Sequence, residues 1–196
     1  MTMPNDRHHE GDHKDATADN PAGHKPSHHK HHHRQAAPQA VATLIVTVSD
    51  TRTLETDTGG ALVEENLREA NHPITGRRIV PDEPAAIRDA IAEALADDST
   101  QAIILTGGTG IAPRDVTPDT VEPLLDRVIP GFGELFRMLS YEDIGSAALL
   151  SRTVGGLKDG RVILVIPGSR GAVRLAMEKL ILPELGHLAG EAVKTR

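Results

Sequence analysis

The sequence predicts an α/β fold, a three-layer sandwich with a mainly parallel sheet, one antiparallel hairpin and helices on both faces. Aliphatic runs alternate with helical patterns from residue 41 onward, an order typical of parallel sheets covered by helices. Trp and Cys are absent and only Phe132, Phe136 and Tyr141 are aromatic, so Val, Ile, Leu and Ala must fill the core, as in buried parallel strands. The Asp159-Gly160 pair is a strong hairpin signal.

Composition divides the chain near residue 40. Residues 1–40 hold nine of the eleven histidines, many charges and no Ile, Leu, Val or aromatic residue. Such a segment cannot bury enough apolar surface to offset its ordering entropy, so we expect a disordered His-rich tail over residues 1–40 and an α/β domain over residues 41–196. The run around His31–His33 can bind divalent metal or be a plain solvated tail, and composition leaves both interpretations open.

The first half of the domain follows the order strand, helix, strand. The aliphatic run Val41–Val48 predicts a buried strand. Thr58 is a candidate cap for a helix that continues to Ala70, and residues 71–73 stop it. Ile74–Val80 predicts the second strand, which a proline closes.

A second helix and a third strand come next. Pro84 suits a first helical turn, and apolar residues follow it at a spacing of four. Ala102–Thr106 predicts the third strand and leads directly into a glycine-rich loop. Thr117-Pro118 has the pattern of an N-cap and first helical position, and we expect a helix from there through Leu125.

The second half of the domain contains the hairpin between two helical stretches. We expect helix over about Gly133–Leu150, then strands Val154–Leu157 and Arg161–Ile166 joined by the Asp-Gly turn. The last helix is expected over about Gly171–Leu188, with Pro183 kinking or interrupting it because proline lacks the N–H that a helix interior uses.

Charge and composition exclude several classes of protein. The formal net charge is −7 and no Lys/Arg cluster lies in the domain, so we expect no nucleic-acid binding. We find no run of 18 apolar residues and no signal-peptide pattern, so we expect a cytoplasmic protein without a membrane partner. The absence of cysteine excludes disulfides, a thiolate nucleophile and thiolate metal ligands.

Polar or glycine-rich segments follow four of the predicted strands. Parallel strands end at one rim of a sheet, and ligands of open α/β sheets bind beyond the carboxyl ends of the strands. We therefore expect these segments to converge on a binding site. They are Ser49-Asp50, Pro81-Asp82-Glu83, Thr106–Gly110 and Pro167–Arg170.

The glycine-rich loop is the strongest candidate for phosphate binding. Glycine lets backbone amides approach an anion closely, and threonine hydroxyls add donors. The pattern is neither a P-loop nor GxGxxG, and a tight strand-to-helix turn is the competing interpretation. The loop residues are Thr106, Gly107, Gly108, Thr109 and Gly110.

Asp82 and Asp115 lie in two of the loops and are candidate Mg²⁺ ligands. Carboxylates beside a phosphate repel it unless a divalent cation lies between them, and Mg²⁺ is commonly held by one or two carboxylates plus phosphate oxygens. Each aspartate alone could instead satisfy nearby loop amides. Arg114 could contact phosphate or pair with a neighbouring acid. Ser169 precedes a helix, where it could help to bind an anion or act as a plain cap.

The chain resembles the MoaB/Mog family of molybdenum-cofactor biosynthesis proteins over about residues 42–190. TGGTG followed by RDVTPD is highly specific in combination. The matching motifs are TVSDTR (47–52), DTGG (57–60), IVPDE (79–83), LTGGTGIAPRDVTPD (105–119), PGFGELFRMLS (130–140), LSRTVGG (150–156) and VIPGSRGAV (165–173).

The resemblance implies a fold, an activity and a set of site residues. It implies a molybdopterin-binding α/β domain, a homotrimer or dimer of trimers, and Mg-ATP-dependent adenylylation of molybdopterin, with hand-over of the product to a molybdate-inserting enzyme. Asp82 and Asp115 are then the catalytic pair, which we also expect to hold Mg²⁺. The implied pterin and phosphate pocket contains Ser49, Asp50, Thr106, Gly107, Gly108, Thr109, Gly110, Glu134, Gly168 and Ser169.

Two other functions compete with the enzyme hypothesis. Residues 132–156 resemble the MoaB branch, and some MoaB-type proteins lack the activity, so a non-catalytic molybdopterin carrier or scaffold is one alternative. Those inactive proteins have usually lost the RDVTPD aspartate pattern, whereas this chain keeps Asp82 and Asp115, which favours the enzyme. The second alternative is metal delivery through the histidine tail, which predicts loss of function when residues 1–34 are deleted.

Overall fold

The computed structural model describes residues 38–194. The tail predicted over residues 1–40 therefore lies outside the described residues except for its last three. The strands of the described part are β1 (Thr43–Val48), β2 (Ile74–Val80), β3 (Ala102–Thr106), β4 (Arg127–Val128), β5 (Val154–Lys158) and β6 (Arg161–Ile166). The helices are α1 (Thr58–Glu69), α2 (Pro84–Ala96), α3 (Thr117–Val121), α4 (Pro130–Ile144), α5 (Arg170–Ala176) and α6 (Leu182–Ala192).

The six strands form one mixed sheet in the order β2-β1-β3-β6-β5-β4. Strands β2, β1, β3 and β6 are parallel, and β5 runs antiparallel to β6 and to β4. The predicted hairpin is confirmed: Asp159 (φ 47°) and Gly160 (φ 73°) form its turn in the left-handed region. The two-residue strand β4 was not predicted, because a segment so short carries no periodic pattern.

Two apolar clusters, one on each face of the sheet, confirm the three layers. Alternate strand residues face opposite sides, so Ile45 and Ile104 pack with α1, α4, α5 and α6, whereas Val46 and Leu105 pack with α2 and α3. Phe132 and Phe136 on α4 lie in the first cluster. Within residues 38–194, no helix has both the length and the apolar character needed to cross a membrane.

Two predicted helix starts are wrong in their capping residue. Asp57, not Thr58, caps α1, and its Oδ1 accepts a hydrogen bond from the Gly60 N–H at 2.9 Å. Thr117 is the first residue of α3 rather than its cap, and no side chain caps that helix. The Thr117 hydroxyl is buried instead of turning back to the first amides, so it is not available as a cap.

The later helices also differ from their predicted bounds. α4 begins at Pro130 and ends where Gly145 takes φ 62°, and a 3₁₀ segment covers Gly145–Leu150. The last helical stretch is interrupted, as predicted, by a π turn over Met177–Ile181 just before Pro183. Pro183 then lies in the first turn of α6, where its missing N–H breaks no helical hydrogen bond.

Asp57 ties the start of α1 to two strands. Its Oδ2 accepts hydrogen bonds from Thr47 Oγ1 of β1 at 2.7 Å and from Arg77 Nη2 of β2 at 3.0 Å. The side chain is 3% exposed. Burial raises the pKa of Asp57, but hydrogen bonds from the Gly60 amide, Thr47 and Arg77 outweigh it and place the pKa below its ordinary value. The charged form therefore stabilises the folded state.

We expect Asp57→Asn to lower the free energy of unfolding by roughly 2 kcal/mol or more at pH 7, because it removes the buried charged acceptor that Thr47 and Arg77 share and leaves Arg77 paired with Glu64 alone. Because folding lowers the pKa of Asp57, the loss of stability should be complete above the ordinary pKa range of aspartate. It should shrink as the pH falls through the pKa of Asp57 in the folded state. Urea unfolding between pH 3 and pH 7 measures it. Asp98→Asn, which removes a fully exposed partner of Arg161, is the control and should change stability little. Equal effects of the two variants would contradict the assignment.

Candidate functional site

The carboxyl ends of the four parallel strands meet at one rim of the sheet, as predicted. Val48 is in register with Val80, and Thr106 is in register with both Thr47 and Ile166. Two hydrogen bonds tie the loops that follow to the neighbouring strands: the Ser49 N–H donates to the Val80 carbonyl at 2.8 Å, and the Gly107 N–H donates to the Ile166 carbonyl at 3.1 Å. The four polar segments therefore share this rim.

Glycine is required in the loop after β3 for two physical reasons. Gly107 and Gly108 have φ values of 102° and 59°, which L side chains rarely adopt. A Cβ on Gly107 would lie 2.4 Å from the Val48 carbonyl oxygen. A Cβ on Gly108 would lie 2.3 Å from Thr117 Oγ1 and 2.9 Å from Asp82 Oδ1. The loop thus packs against β1, α3 and the Asp82 carboxylate.

A cavity of about 200 Å³ lies between this loop and the start of α1. Four predicted residues line it: Ser49, Thr106, Gly107 and Gly168. Arg52, Thr58 and Gly59 line it as well and were missed as site residues, although the TVSDTR and DTGG motifs contain them. A helix N-terminus and an arginine both favour an anion, so the cavity is suited to a phosphate group.

Ser169 and Thr106 use their hydroxyls within the protein. Ser169 caps α5, and its Oγ accepts a hydrogen bond from the Ala172 N–H at 3.3 Å. In this structure Ser169 therefore acts as a helix cap, which is one of the two roles that the sequence left open for it. Thr106 Oγ1 donates to the Pro167 carbonyl at 3.3 Å. Both side chains hold the shape of the rim.

Asp50 and Asp82 face each other across two loops. The Asp50 N–H donates to Asp82 Oδ2 at 3.2 Å, and the Asp82 N–H donates to Asp50 Oδ1 at 3.0 Å. Burial, then the Asp50 and Asp115 carboxylates, raise the pKa of Asp82, against the lowering effects of the Asp50 amide and Arg114. The net pKa lies above its ordinary value, so this rim concentrates negative charge.

Asp115 belongs to the same acidic group. Its Oδ2 accepts a hydrogen bond from the Ala112 N–H at 3.0 Å and would lie 2.6 Å from a Cβ on Gly110. Its charge acts on Asp82, as does that of Arg114, and the Asp82 and Asp115 carboxylates border Gly108 and Gly110 of the glycine loop. We name Asp50, Asp82 and Asp115 the acidic rim.

The acidic rim fits a divalent cation that takes further ligands from a substrate. Burial and then the charges of Asp50 and Asp115 raise the pKa of Asp82, and a cation would relieve the repulsion between the carboxylates. Thr117 Oγ1 is buried beside Gly108 without a hydrogen-bond partner, which leaves a polar atom next to the Asp82 carboxylate. Across residues 38–194, no group of three or more acidic or histidine side chains is arranged as a metal site by itself. This donor set suits Mg²⁺, which commonly keeps waters and phosphate oxygens among its ligands.

Glu134 lies apart from the 200 Å³ cavity, in a second pocket of about 500 Å³. Arg137, Ser151, Arg152 and Gly155 are among the residues that line it. Arg152 joins this pocket to the acidic rim, because its Nε donates to the Gly110 carbonyl at 2.8 Å and its Nη2 donates to the Asp115 carbonyl. Sequence reasoning missed Arg152, although the LSRTVGG motif contains it.

Comparison with known proteins identifies the family. The family described as "Probable molybdopterin binding domain" matches residues 44–187. The chain is 53% identical over 155 residues to Molybdenum cofactor biosynthesis protein B of Bacillus cereus, covering 79% of this chain and 92% of the relative.

Two crystal structures share the fold. One is a Molybdenum cofactor biosynthesis protein B, with a TM-score of 0.77 at 53% identity, covering 80% of this chain and 98% of the other. The second is the tungsten cofactor synthesizing protein MoaB from Pyrococcus furiosus, with a TM-score of 0.73 at 33% identity, covering 81% of this chain and 100% of the other. This chain belongs to the MoaB/Mog family of molybdenum-cofactor biosynthesis proteins.

Proposed function

We propose that this protein acts in molybdenum-cofactor biosynthesis and that it is a nucleotidyltransferase, which uses Mg-ATP to adenylylate molybdopterin. Its relatives named Molybdenum cofactor biosynthesis protein B support the role in the pathway. One observation carries the chemistry: Asp82 and Asp115, which are remote in sequence, lie beside the same glycine loop. A carrier would need the anion cavity but not this concentration of carboxylates.

The reaction joins two phosphate groups. An oxygen of the terminal phosphate of molybdopterin attacks the α-phosphorus of ATP, the bond to the β,γ-phosphates breaks, and pyrophosphate leaves with the electron pair of that bond. Little covalent chemistry falls to the protein in such transfers, so positioning and charge compensation supply the rate. No side-chain nucleophile is needed, which agrees with a chain that has no cysteine.

The residues of the rim divide these tasks. The 200 Å³ cavity, with Ser49, Arg52 and the start of α1, holds the phosphate of the pterin. Asp82 and Asp115 hold Mg²⁺, which when bound offsets charge on the nucleotide phosphates. Arg114 lies on the same side and adds a positive charge near Asp82. The pocket of Glu134 offers space for a further part of a substrate.

The proposal extends to partners and assembly. We propose a homotrimer or a dimer of trimers in the cytoplasm, with product handed over to a molybdate-inserting enzyme. Large apolar side chains exposed on α4 and on the 3₁₀ segment after it support self-association, because exposed apolar surface commonly marks an interface. These side chains belong to Leu135, Met138, Tyr141, Ile144, Leu149 and Leu150.

We expect Asp115→Asn to bind molybdopterin nearly as well as the wild type but to lose turnover by roughly two orders of magnitude or more, because charge compensation in the transition state is lost. Pyrophosphate release from molybdopterin, ATP and Mg²⁺ measures turnover, and titration calorimetry measures binding. Asp126→Asn is the matched control, because Asp126 is an exposed aspartate that pairs with Lys158. Lys158 ends β5 beside the start of β6, at the opposite end of the sheet from the rim.

Near-normal turnover of Asp115→Asn would refute the role of Asp115. Pterin binding by the wild type without any pyrophosphate release would refute the enzyme and favour a carrier.

We expect Mg²⁺ to stabilise the wild type more than Asp82→Asn. Without cation, ionising Asp82 costs the folded state more than the unfolded chain, because its folded pKa is raised. The wild type should therefore lose thermal stability relative to Asp82→Asn as pH rises through the folded pKa, and the two should converge in acid, where Asp82 is protonated. Melting temperatures from pH 3 to pH 8, with and without Mg²⁺, measure both effects. Equal gains from Mg²⁺ in the two proteins would contradict a cation at Asp82.

A further inference from the structure

Arg152 makes an unusual set of contacts with the loop that carries Asp115. Its Nε donates to the Gly110 carbonyl at 2.8 Å, its Nη2 donates to the Asp115 carbonyl, and its Nη1 donates to Asp119 Oδ2 at 2.7 Å. Its own backbone N–H donates to the Thr109 carbonyl at 3.2 Å. One residue thus binds four points of the segment 109–119.

These contacts fix the two groups that determine where the Asp115 carboxylate lies. The carboxylate packs against Gly110, since a Cβ there would lie 2.6 Å from Asp115 Oδ2. Arg152 holds the Gly110 carbonyl and the Asp115 carbonyl at once, so it sets the distance between Gly110 and the backbone from which the carboxylate projects. The carboxylate also accepts a hydrogen bond from the Ala112 N–H, which belongs to the same loop.

The side chain has to be an arginine to do this. The guanidinium is planar and presents its donors in a rigid fork, whereas a lysine presents a single flexible ammonium group. The two carbonyl contacts are half-buried, and the Asp119 contact is exposed and contributes little. Each of the three guanidinium nitrogens already donates to the protein, which favours a clamp over a phosphate ligand.

We propose that Arg152 is a positioning residue that holds the Asp115 carboxylate in place for the transfer reaction. The inference rests on the proposed function, in which Asp115 acts at the reacting phosphates. It goes beyond that function because it assigns a role to Arg152, which lies just before β5 and 37 positions from Asp115 in the sequence. Arg152 also lines the pocket of Glu134, so the same residue sets the wall of that pocket.

The test compares Arg152→Ala with Arg152→Lys and with Arg161→Ala. Arg161 is a matched control because it also donates to one carbonyl and one carboxylate, Asp159 and Asp98, but lies at the start of β6, at the opposite end of the strand from the rim. We expect Arg152→Ala to lower kcat by about 100-fold, since a displacement of about 1 Å of a reacting group costs that much. Its KM for molybdopterin should stay within about twofold of the wild type. Arg152→Lys should recover only part of the loss, and Arg161→Ala should keep kcat.

Three outcomes would overturn the proposal. A threefold or smaller change in kcat for Arg152→Ala would mean that Arg152 serves stability alone. A rise in KM at unchanged kcat would make Arg152 a substrate ligand. An equal loss of kcat in Arg161→Ala would mean that the effect comes from general stability. If the wild type itself releases no pyrophosphate, the proposed function fails and amide hydrogen exchange decides this inference separately. Arg152→Ala should then speed exchange at Ala112 and Asp115, with no such change in Arg161→Ala, and unchanged exchange there would overturn it.

Discussion

The common register of four parallel strands is the constraint on which this molecule depends. The last residues of β2, β1, β3 and β6 lie within one residue of the same level, since Val80 is in register with Val48, and Ile166 and Thr106 are in register with Thr47. Every loop that follows them must leave the sheet at the same rim, so residues that are distant in sequence become neighbours. The converging loops are crowded. Glycine, which has no side chain, allows the loop after β3 to pack against Val48, Thr117 and Asp82.

Charge at the rim follows from the same geometry. Asp57 lies where a helix amide, a hydroxyl and an arginine all donate to it, so its pKa is lowered and its charge stabilises the fold. Asp82 is partly buried and lies beside the Asp50 carboxylate, and both effects raise its pKa. Two aspartates on one sheet edge therefore have opposite roles. The first is satisfied by donors inside the protein, and the second is, in the proposed function, a ligand of the cation.

Much of the fold and part of the site follow from local sequence signals. Aliphatic runs predicted β1, β3 and β6, the helix stop at residues 71–73 and Pro81 bounded β2, and the Asp159-Gly160 pair predicted the hairpin of β5 and β6, because each signal acts within a few residues. The cap of α1 was misplaced because Asp57 and Thr58 are both suitable cap residues, and tertiary contacts with Thr47 and Arg77 decide between them. The convergence of Asp82 and Asp115 was predictable from topology.

Long-range contacts account for what was missed. Arg152 reaches Gly110 across 42 positions, and no local pattern signals such a contact. The burial of the Thr117 hydroxyl beneath Gly108 likewise depends on how α3 packs against the loop. Glu134 lines the 500 Å³ pocket and not the 200 Å³ cavity, because its position depends on how α4 packs beside β5. A sequence motif does not encode that packing.

In the proposed function, the acidic rim binds a divalent cation together with nucleotide phosphates. The most direct measurement is an anomalous difference map from crystals soaked with Mn²⁺, which shares the oxygen ligands of Mg²⁺, and a non-hydrolysable ATP analogue. We expect one Mn²⁺ peak between the carboxylates of Asp82 and Asp115, in contact with the phosphates. An analogue bound with its metal away from both carboxylates would contradict it.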